Sequence, residues 1–243
     1  MEPPRLRRLR RGDQGRPRRG GRPRGAALKA SFTLAPEPDA EAIERGRLLF
    51  AGPCEFLKGV VATSGLPPAD RIEVCFAGRS NAGKSRLINA LVSRKGLARA
   101  SNTPGRTQEI NFFTLGPEHY LVDLPGYGFA EAPKPVVEKW QALLRAYLAG
   151  RPTLRRAFVL IDARHGVKDV DHEIMALLDR AAVTFEVVLT KADKPGARAL
   201  AATVAGIGPA LARHPAAFPE IIVTSSETGA GLPALRATIA GMA

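Results

Sequence analysis

Eight consecutive residues in the first half of the chain have the types and the spacing needed to hold phosphate groups. They are Gly78, Arg79, Ser80, Asn81, Ala82, Gly83, Lys84 and Ser85. They fit the pattern G-x-x-x-x-G-K-[ST], whose glycines let the backbone curl until successive N–H groups face phosphate oxygens at the start of a helix. We predict that Lys84 contacts the β and γ phosphates of a nucleotide and that the Ser85 hydroxyl binds Mg²⁺. The alternative for this pattern is a structural glycine turn.

Two later segments indicate which base the nucleotide carries. One is Thr190, Lys191, Ala192 and Asp193, at the end of a strand run, and the other is Thr224, Ser225 and Ser226, after the final strand run. The Asp193 carboxylate can accept hydrogen bonds from N1–H and the 2-amino group of guanine, whereas adenine offers neither donor. The stem of Lys191 can lie along the base, and the second segment can offer backbone N–H groups to guanine O6. The pattern favours GTP over ATP, although each segment alone also fits an ordinary turn.

A third group of residues is expected on the γ-phosphate side. Asp123, Leu124, Pro125 and Gly126 end another strand run. A buried carboxylate there can hold a water of the Mg²⁺ ion, and the Gly126 N–H can meet the γ phosphate; the alternative is a Pro-Gly turn. Gly105, Arg106, Thr107 and Gln108 lie in a preceding loop that could close over the nucleotide. Thr107 is the predicted second Mg²⁺ ligand, and Thr103 is its rival.

Two residues bear on how the γ phosphate would be cleaved. Tyr127 follows Gly126 where Ras-type GTPases place a water-orienting glutamine, and a tyrosine cannot copy that amide. Asn81 gives the phosphate loop the form G-x-x-N-x-G-K-S, which resembles the loops of potassium-activated GTPases. Its side-chain oxygen could ligate K⁺ against the phosphates and offset developing charge, or it could only hydrogen-bond the loop backbone. We assign Asn81, Lys84, Thr107 and Gly126 to the catalytic group.

These motifs lie at the ends of alternating strand and helix patterns. Short apolar and β-branched runs predict six strands, at 72–77, 110–115, 120–123, 157–162, 185–190 and 221–224. Amphipathic stretches predict helices near 84–93, 135–148, 169–181, 196–212 and 232–242. Every gap admits a crossover helix except the one at 116–119, which predicts an antiparallel hairpin. We expect a doubly wound α/β domain with a mostly parallel six-stranded sheet, one antiparallel strand and helices on both faces.

Composition supports a soluble domain. Of the 243 residues, 45% are hydrophobic and 24% are charged, and no apolar run is long enough to cross a bilayer. The two cysteines, Cys54 and Cys75, exclude a secreted disulfide scaffold and a four-cysteine zinc site. We therefore expect a cytoplasmic protein that does not bind membranes.

The net charge of +13 is concentrated at the amino terminus, where residues 1–25 hold ten arginines against two acids. We expect residues 1–38 to be a disordered basic tail, residues 39–69 an extension that packs on the domain, and residues 70–243 the domain itself. The tail could be an arm for RNA phosphates, or it could reflect an arginine-biased genome or a start codon assigned too early.

From about residue 46 to residue 243, the chain resembles the EngB branch of the bacterial Era-like GTPases, in GRSNAGKS, TPGRTQEINFF, DLPGYGFA, RPTLRRAFVLIDARHG, LTKADK and TSSETGAGL. The resemblance implies a Ras-like fold, binding of GTP or GDP and Mg²⁺, and a role in assembling the large ribosomal subunit that normal cell division and septation require. The implied partners are the precursor of that subunit, its RNA and its proteins, and we expect a monomer. The implied GTP contacts are Gly78 to Ser85, Gly105 to Glu109, Asp123 to Gly126, Thr190 to Asp193 and Thr224 to Ser226, with Mg²⁺ on Ser85 and Thr107.

Two other classes of function compete with a GTPase switch. A P-loop small-molecule kinase would need an acceptor pocket and would not need the Thr-Lys-Ala-Asp segment. An RNA-binding module that uses nucleotide only structurally would explain the basic tail but not the intact Lys84 and Ser85. We predict a GTPase whose intrinsic hydrolysis is slow and, if Asn81 holds K⁺, faster in K⁺ than in Na⁺.

Overall fold

The apolar runs and amphipathic stretches fold into alternating strands and helices. The computed structural model describes residues 31–98, 109–128 and 134–242. In chain order its elements are β1 (Thr33–Leu34), α1 (Ala40–Ala51), β2 (Cys54–Val60), a 3-10 turn (Thr63–Gly65), β3 (Ile72–Gly78), α2 (Lys84–Leu91), β4 (Ile110–Leu115), β5 (His119–Asp123), α3 (Lys134–Gly150), β6 (Leu154–Asp162), α4 (Asp169–Arg180), β7 (Phe185–Thr190), α5 (Ala197–Leu211), β8 (Ala217–Val223) and α6 (Leu232–Ala240). Within these described ranges, no helix combines the length and the apolar character needed to cross a membrane.

The strands form one sheet in the order β1-β8-β7-β6-β3-β5-β4-β2. Neighbouring strands are parallel, except that β4 runs antiparallel to both β5 and β2. The β4–β5 hairpin pairs Leu115 with His119, which confirms the antiparallel connection predicted at 116–119. The predicted class, a mostly parallel α/β sheet with one antiparallel strand, is therefore confirmed.

The predicted count of six strands is wrong, because the sheet has eight strands and the sequence pattern missed β1 and β2. In β2, Cys54 and Val60 are buried, but the four residues after Cys54 are exposed. A bulge between Phe56 and Lys58 also shifts its register against β4. Such a strand carries no period-two signal.

The amino-terminal boundary also differs from the prediction. We predicted a disordered tail over residues 1–38, but β1 pairs with β8 and Phe32 packs against the core. The Ala35 N–H also donates to the Ile221 carbonyl at 2.9 Å. Residues 32–35 therefore belong to the folded domain, whereas residues 1–30 lie outside the described part of the chain.

Hydrophobic clusters fill both faces of the sheet. Because side chains alternate along a strand, Cys75 and Ala77 of β3 join one cluster and Val74 and Phe76 join the other. Residues of α3, α4 and α5 complete the first cluster, and residues of α1, α2 and α6 complete the second. Helices on both faces are thus confirmed.

Helix α1 packs closely on α6. A Cβ atom at Gly46 of α1 would lie 2.6 Å from the backbone nitrogen of Ala237, so only glycine permits this approach without a shift of the backbone. Helix α1, in the extension before β3, thereby lies in the same layer as α2 and α6.

Five parallel strands end at the same edge of the sheet. β3, β5, β6, β7 and β8 point in one direction, and their last residues lead into the loops that hold the sequence motifs. In open α/β sheets, ligands bind in the crevice outside the carboxyl ends of the strands. The fold therefore gathers segments that are far apart in sequence into one place.

Candidate functional site

The phosphate loop curls between the end of β3 at Gly78 and the start of α2 at Lys84. Asn81 and Gly83 adopt left-handed backbone conformations, with φ of 65° and 93°. Asparagine tolerates that region better than most residues, and glycine has no Cβ to oppose it. The Ala82 N–H donates to the Arg79 carbonyl at 2.9 Å and closes the turn. The loop thus leads directly into the first turn of α2, where helix N–H groups lack intrahelical partners.

Lys84 and Asp123 form an ion pair between this loop and the end of β5. Both side chains are largely buried, with 11% and 7% of their surface exposed. Ser85 follows Lys84 on the first turn of α2. The Ser85 hydroxyl and the Asp123 carboxylate are therefore the two protein oxygen groups considered as Mg²⁺ ligands at this point. The structure therefore places the predicted phosphate lysine beside Asp123 and next to Ser85 in the chain.

These oxygen donors fit Mg²⁺ rather than a metal held by protein alone. Within the described residues, no cluster of three or more His, Cys, Asp or Glu side chains could hold a metal ion. Mg²⁺ keeps several waters and usually binds one or two protein oxygens together with substrate phosphates. A donor set of Ser85 and Asp123 beside a phosphate loop has that character.

The segment after β5 lies directly on the phosphate loop. The Ser80 N–H donates to the Tyr127 carbonyl at 3.1 Å, and the Tyr127 N–H donates to the Gly78 carbonyl at 3.3 Å. A Cβ atom at Gly126 would lie 3.2 Å from the Ser80 hydroxyl oxygen, so the close approach favours glycine. Leu124 is tied to β3 by its N–H, which donates to the Phe76 carbonyl at 3.0 Å. Asp123 and Gly126 therefore lie beside the phosphate loop, whereas Leu124 is bonded to β3.

The loop after β7 meets the phosphate loop from the other side. The Thr190 hydroxyl donates to the Ala82 carbonyl at 2.6 Å, and the Lys191 ammonium donates to the Asn81 carbonyl. The Asp193 carboxylate accepts from the Ser225 hydroxyl at 2.6 Å, which joins the two segments predicted to read the base. Hydrogen bonds from Ser225 and Lys194 lower the pKa of Asp193 below its ordinary value. Asp193 is therefore an ionised acceptor at neutral pH.

The segment of Thr224, Ser225 and Ser226 supports the loop after β7 and orients Asp193. The Thr224 side chain is buried and donates to the Leu189 carbonyl at 2.9 Å, and its own carbonyl accepts from the Ala192 N–H at 3.1 Å. Thr224 therefore holds the Thr190–Asp193 loop through hydrogen bonds to Leu189 and Ala192. Ser225 orients Asp193, and Ser226 follows it at a half-buried position.

Asp162, at the end of β6, is a member of this site that the sequence analysis missed. It accepts from the Lys191 ammonium at 2.8 Å and from Arg164 at 3.0 and 2.7 Å. Burial alone would raise the pKa of Asp162, but the hydrogen bonds from Arg164 and Lys191 outweigh it and hold that pKa well below its ordinary value. Its place at the end of a predicted strand was the available signal.

A cavity of about 130 Å³ lies where the phosphate loop faces the end of β6. Its lining comprises Arg79, Ser80, Asn81, Ala82, Asp162, Arg164 and His165. The Asn81 side chain is exposed and makes no hydrogen bond with any other described residue. The amide of Asn81 is therefore available to a ligand as far as the described residues are concerned.

One predicted segment lies mostly outside the described residues. Gly105, Arg106, Thr107 and Gln108, together with the rival Thr103, fall in the undescribed range 99–108. Glu109 is described just before β4, where it is exposed and its carboxylate lies against Gly59 of β2.

Comparisons with known proteins identify relatives of this arrangement. Residues 73–191 match the family described as 50S ribosome-binding GTPase. A probable GTP-binding protein EngB of Jannaschia sp. (strain CCS1) is 73% identical over 209 residues, which cover 86% of this chain and 96% of that protein. A probable GTP-binding protein EngB of Roseobacter denitrificans is 68% identical over 212 residues, or 87% and 98% of the two chains. A crystal structure of a probable GTP-binding protein engB aligns with 70% of this chain and 97% of its own, with a TM-score of 0.54 and 24% identity, a likeness of fold.

Proposed function

Since the chain belongs to the EngB family of GTP-binding proteins, we propose that it binds GTP at the carboxyl edge of its sheet and hydrolyses it there. The observation that carries this proposal is the position of Asp193. Its ionised carboxylate is oriented by Ser225, and the neighbouring Lys191 bonds directly to the phosphate loop. A guanine acceptor and a phosphate cradle are thereby held at a fixed separation, as one nucleotide requires.

Phosphate binding falls to the loop from Gly78 to Ser85. In our proposal, the Lys84 ammonium exchanges the Asp123 carboxylate for β and γ phosphate oxygens. Asp123 is then free to hold a water of the Mg²⁺ ion, and Ser85 ligates the ion directly. When bound, Mg²⁺ neutralises charge on the β and γ phosphate oxygens. The buried Lys84–Asp123 pair supports this exchange, because it places both groups at the same point.

Cleavage of the γ phosphate is assigned to backbone and cation groups. The Gly126 N–H, held against the phosphate loop, is proposed to donate to the γ phosphate, and Thr107 to complete the Mg²⁺ site. Tyr127 does not replace a water-orienting glutamine, since its hydroxyl is buried and bonded to Asp171 at 2.9 Å. We assign to Asn81 the role of K⁺ ligand, and the exposed position of its side chain on the phosphate loop supports this role. Without a glutamine, intrinsic hydrolysis is expected to be slow.

The proposed partner is the precursor of the large ribosomal subunit, with its RNA and proteins. The description of the matching family, 50S ribosome-binding GTPase, supports it, and so do the ten arginines of residues 1–25. A GTP-dependent step in assembly, on which cell division and septation depend, is the role we propose for a monomeric protein in the cytoplasm.

Competition binding tests the function directly. Purified protein is loaded with fluorescent GDP, and unlabelled GTP and ATP are titrated against it, followed by phosphate release in KCl and in NaCl at matched ionic strength. We expect GTP to compete at least about a thousandfold better than ATP, because ATP leaves Asp193 without donors, and turnover to be faster in KCl. Equal competition by ATP would refute the guanine site, and equal turnover in the two salts would refute the K⁺ role.

A further inference from the structure

Asp171, on the first turn of α4, contacts two segments of the site although it belongs to none of the nucleotide motifs. Its Oδ1 atom accepts a hydrogen bond from the Tyr127 hydroxyl at 2.9 Å. The same oxygen lies 3.4 Å from Nε of Arg79, the second residue of the phosphate loop. The Asp171 side chain is fully buried, so these contacts are shielded from water.

The other oxygen of Asp171 anchors it to its own helix. Oδ2 accepts from the Lys168 N–H at 2.8 Å and so caps the start of α4. Arg79 also approaches the loop before α4, with Nη2 3.4 Å from the Gly166 carbonyl. The Asp171 carboxylate therefore links α4, the phosphate loop and the segment after β5 through fixed contacts.

Tyr127 connects Asp171 to Gly126, the residue that precedes it in the chain. Its backbone is bonded to the phosphate loop on both sides, through the Gly78 carbonyl and the Ser80 N–H. Its ring is buried, with 6% of the residue exposed, and burial raises the pKa of its hydroxyl well above the ordinary value. The hydroxyl therefore stays protonated and donates to Asp171. With its backbone and its hydroxyl both fixed, Tyr127 anchors the carbonyl side of Gly126, whose N–H belongs to the preceding Pro125–Gly126 peptide.

We propose that Asp171 is a positioning residue for GTP hydrolysis, which holds the Gly126 N–H against the phosphate loop through the buried hydroxyl of Tyr127. The inference rests on the proposed function, because it assigns the Gly126 N–H to the γ phosphate. Gly128, with φ of 81°, is the first residue beyond this anchor whose backbone adopts the left-handed region. The chain between β5 and Gly128 is then anchored at Tyr127, and the Gly126 amide proposed to meet the γ phosphate keeps its place.

The test compares two tyrosine-to-phenylalanine variants, each of which loses a hydrogen bond from a buried hydroxyl to a carboxylate. Tyr127→Phe removes the hydroxyl bonded to Asp171 and leaves the ring in place. Tyr147→Phe is the matched control, because Tyr147 is also buried and its hydroxyl donates to Glu73 at 3.0 Å. Glu73 lies at the opposite end of β3 from Gly78, so the control bond is remote from the site. Each variant is measured for fluorescent GDP affinity, for single-turnover GTP hydrolysis and for its melting temperature.

We expect Tyr127→Phe to lower the single-turnover rate about tenfold, because small displacements of a reacting geometry are costly. Its GDP affinity should stay within about twofold of wild type, since GDP has no γ phosphate to meet Gly126. Tyr147→Phe should leave both quantities unchanged, whatever its effect on melting. Asp171→Asn should also slow hydrolysis, and the Tyr127→Phe and Asp171→Asn effects should not add, because both act through one bond.

Several outcomes would overturn the role of Asp171. They are a wild-type rate in Tyr127→Phe, an equal loss of rate in Tyr147→Phe, or a loss of GDP affinity that matches the loss of rate. If Tyr127→Phe does not fold, Asp171→Asn decides alone on the same two measurements. A wild-type chain that binds no GTP or does not cleave it would overturn the proposed function as well, whereas an active wild type with an unaffected Tyr127→Phe would overturn only this inference.

Discussion

The carboxylates of Asp162 and Glu186 lie on the neighbouring strands β6 and β7, and their surroundings shift their pKa in opposite directions. Asp162 receives hydrogen bonds from Lys191 and Arg164, which stabilise its charge more than burial opposes it. Glu186 is fully buried and has one partner, Arg156, at 2.6 Å, while its Oε1 atom has no hydrogen-bond partner among the described residues. Burial therefore raises the pKa of Glu186 to about 7, in spite of Arg156. Asp162 serves the site as a permanent anion, whereas Glu186 titrates near neutral pH.

This difference predicts a pH dependence of stability. Because the pKa of Glu186 is raised from 4.5 to about 7, the folded chain holds the proton more tightly than the unfolded chain does. The stabilisation is fully present below the unfolded pKa and is lost as pH rises through the folded pKa. Between pH 5 and pH 8, wild type should lose roughly 2 to 3 kcal/mol of unfolding free energy that Glu186→Gln does not lose. Urea unfolding of both proteins at the two pH values measures this difference.

Glu173→Gln, at an exposed position of α4, controls for the loss of one charge and should follow wild type across the same range. Parallel pH dependence in wild type and Glu186→Gln would show that burial does not shift the pKa of Glu186 as argued. Nucleotide affinity is not expected to change, because Glu186 lies away from the residues of the candidate site.

At the scale of elements, the sequence predicted those whose apolar pattern is local and uninterrupted. The predicted bounds of β4 and β7 agree with the structure, because each is an apolar run closed by a turn or a polar motif. Helices α2 to α6 are present where amphipathic stretches were predicted, with ends that differ by a few residues. Helix α1 was missed, since Gly46 and Phe50 are its only buried residues and give too weak a stripe.

For the candidate site as well, the sequence predicted the residues of local motifs and missed those whose partners are distant in the chain. Motifs with fixed local spacing, such as the phosphate loop, were predicted directly and are brought together by the fold. Asp162 and Asp171 were missed, because their partners are distant in sequence: Lys191 is 29 residues from Asp162, and Tyr127 is 44 residues from Asp171. No periodicity or spacing rule connects such pairs, and only the assembled sheet places their side chains within reach.

For the whole molecule, the uneven distribution of charge bears on the proposed ribosomal partner. Residues 1–25 carry a net charge of +8 out of +13 for the chain. Each cationic side chain that neutralises an RNA phosphate releases a counterion and steepens the salt dependence of binding. The folded domain begins by Phe32, so the basic residues can be removed without touching β1.

Deletion of residues 1–30 should therefore leave GTP affinity unchanged while it flattens the salt dependence of binding to ribosomal RNA. Each lost phosphate contact removes about 0.7 to 0.9 from the slope of log affinity against log salt. Deletion of residues 1–38 is the comparison, because it also removes β1 and should lower the melting temperature. Identical slopes with and without residues 1–30 would assign RNA binding to other parts of the molecule.

The central claim is that this molecule selects guanine through Asp193, and exchange of that carboxylate for an amide tests it most directly. In Asp193→Asn, the new amide N–H can donate to the C2 carbonyl of xanthine, and the carboxylate that accepts from the N1–H and the 2-amino group of guanine is lost. Affinities for GDP and xanthosine diphosphate are measured for wild type, for Asp193→Asn and for Asp70→Asn, a control in the loop before β3, at the opposite end of the sheet. We predict that Asp193→Asn loses at least about a hundredfold in GDP affinity and gains xanthosine diphosphate binding, while the control does neither. An unchanged preference for GDP in Asp193→Asn would contradict the claim.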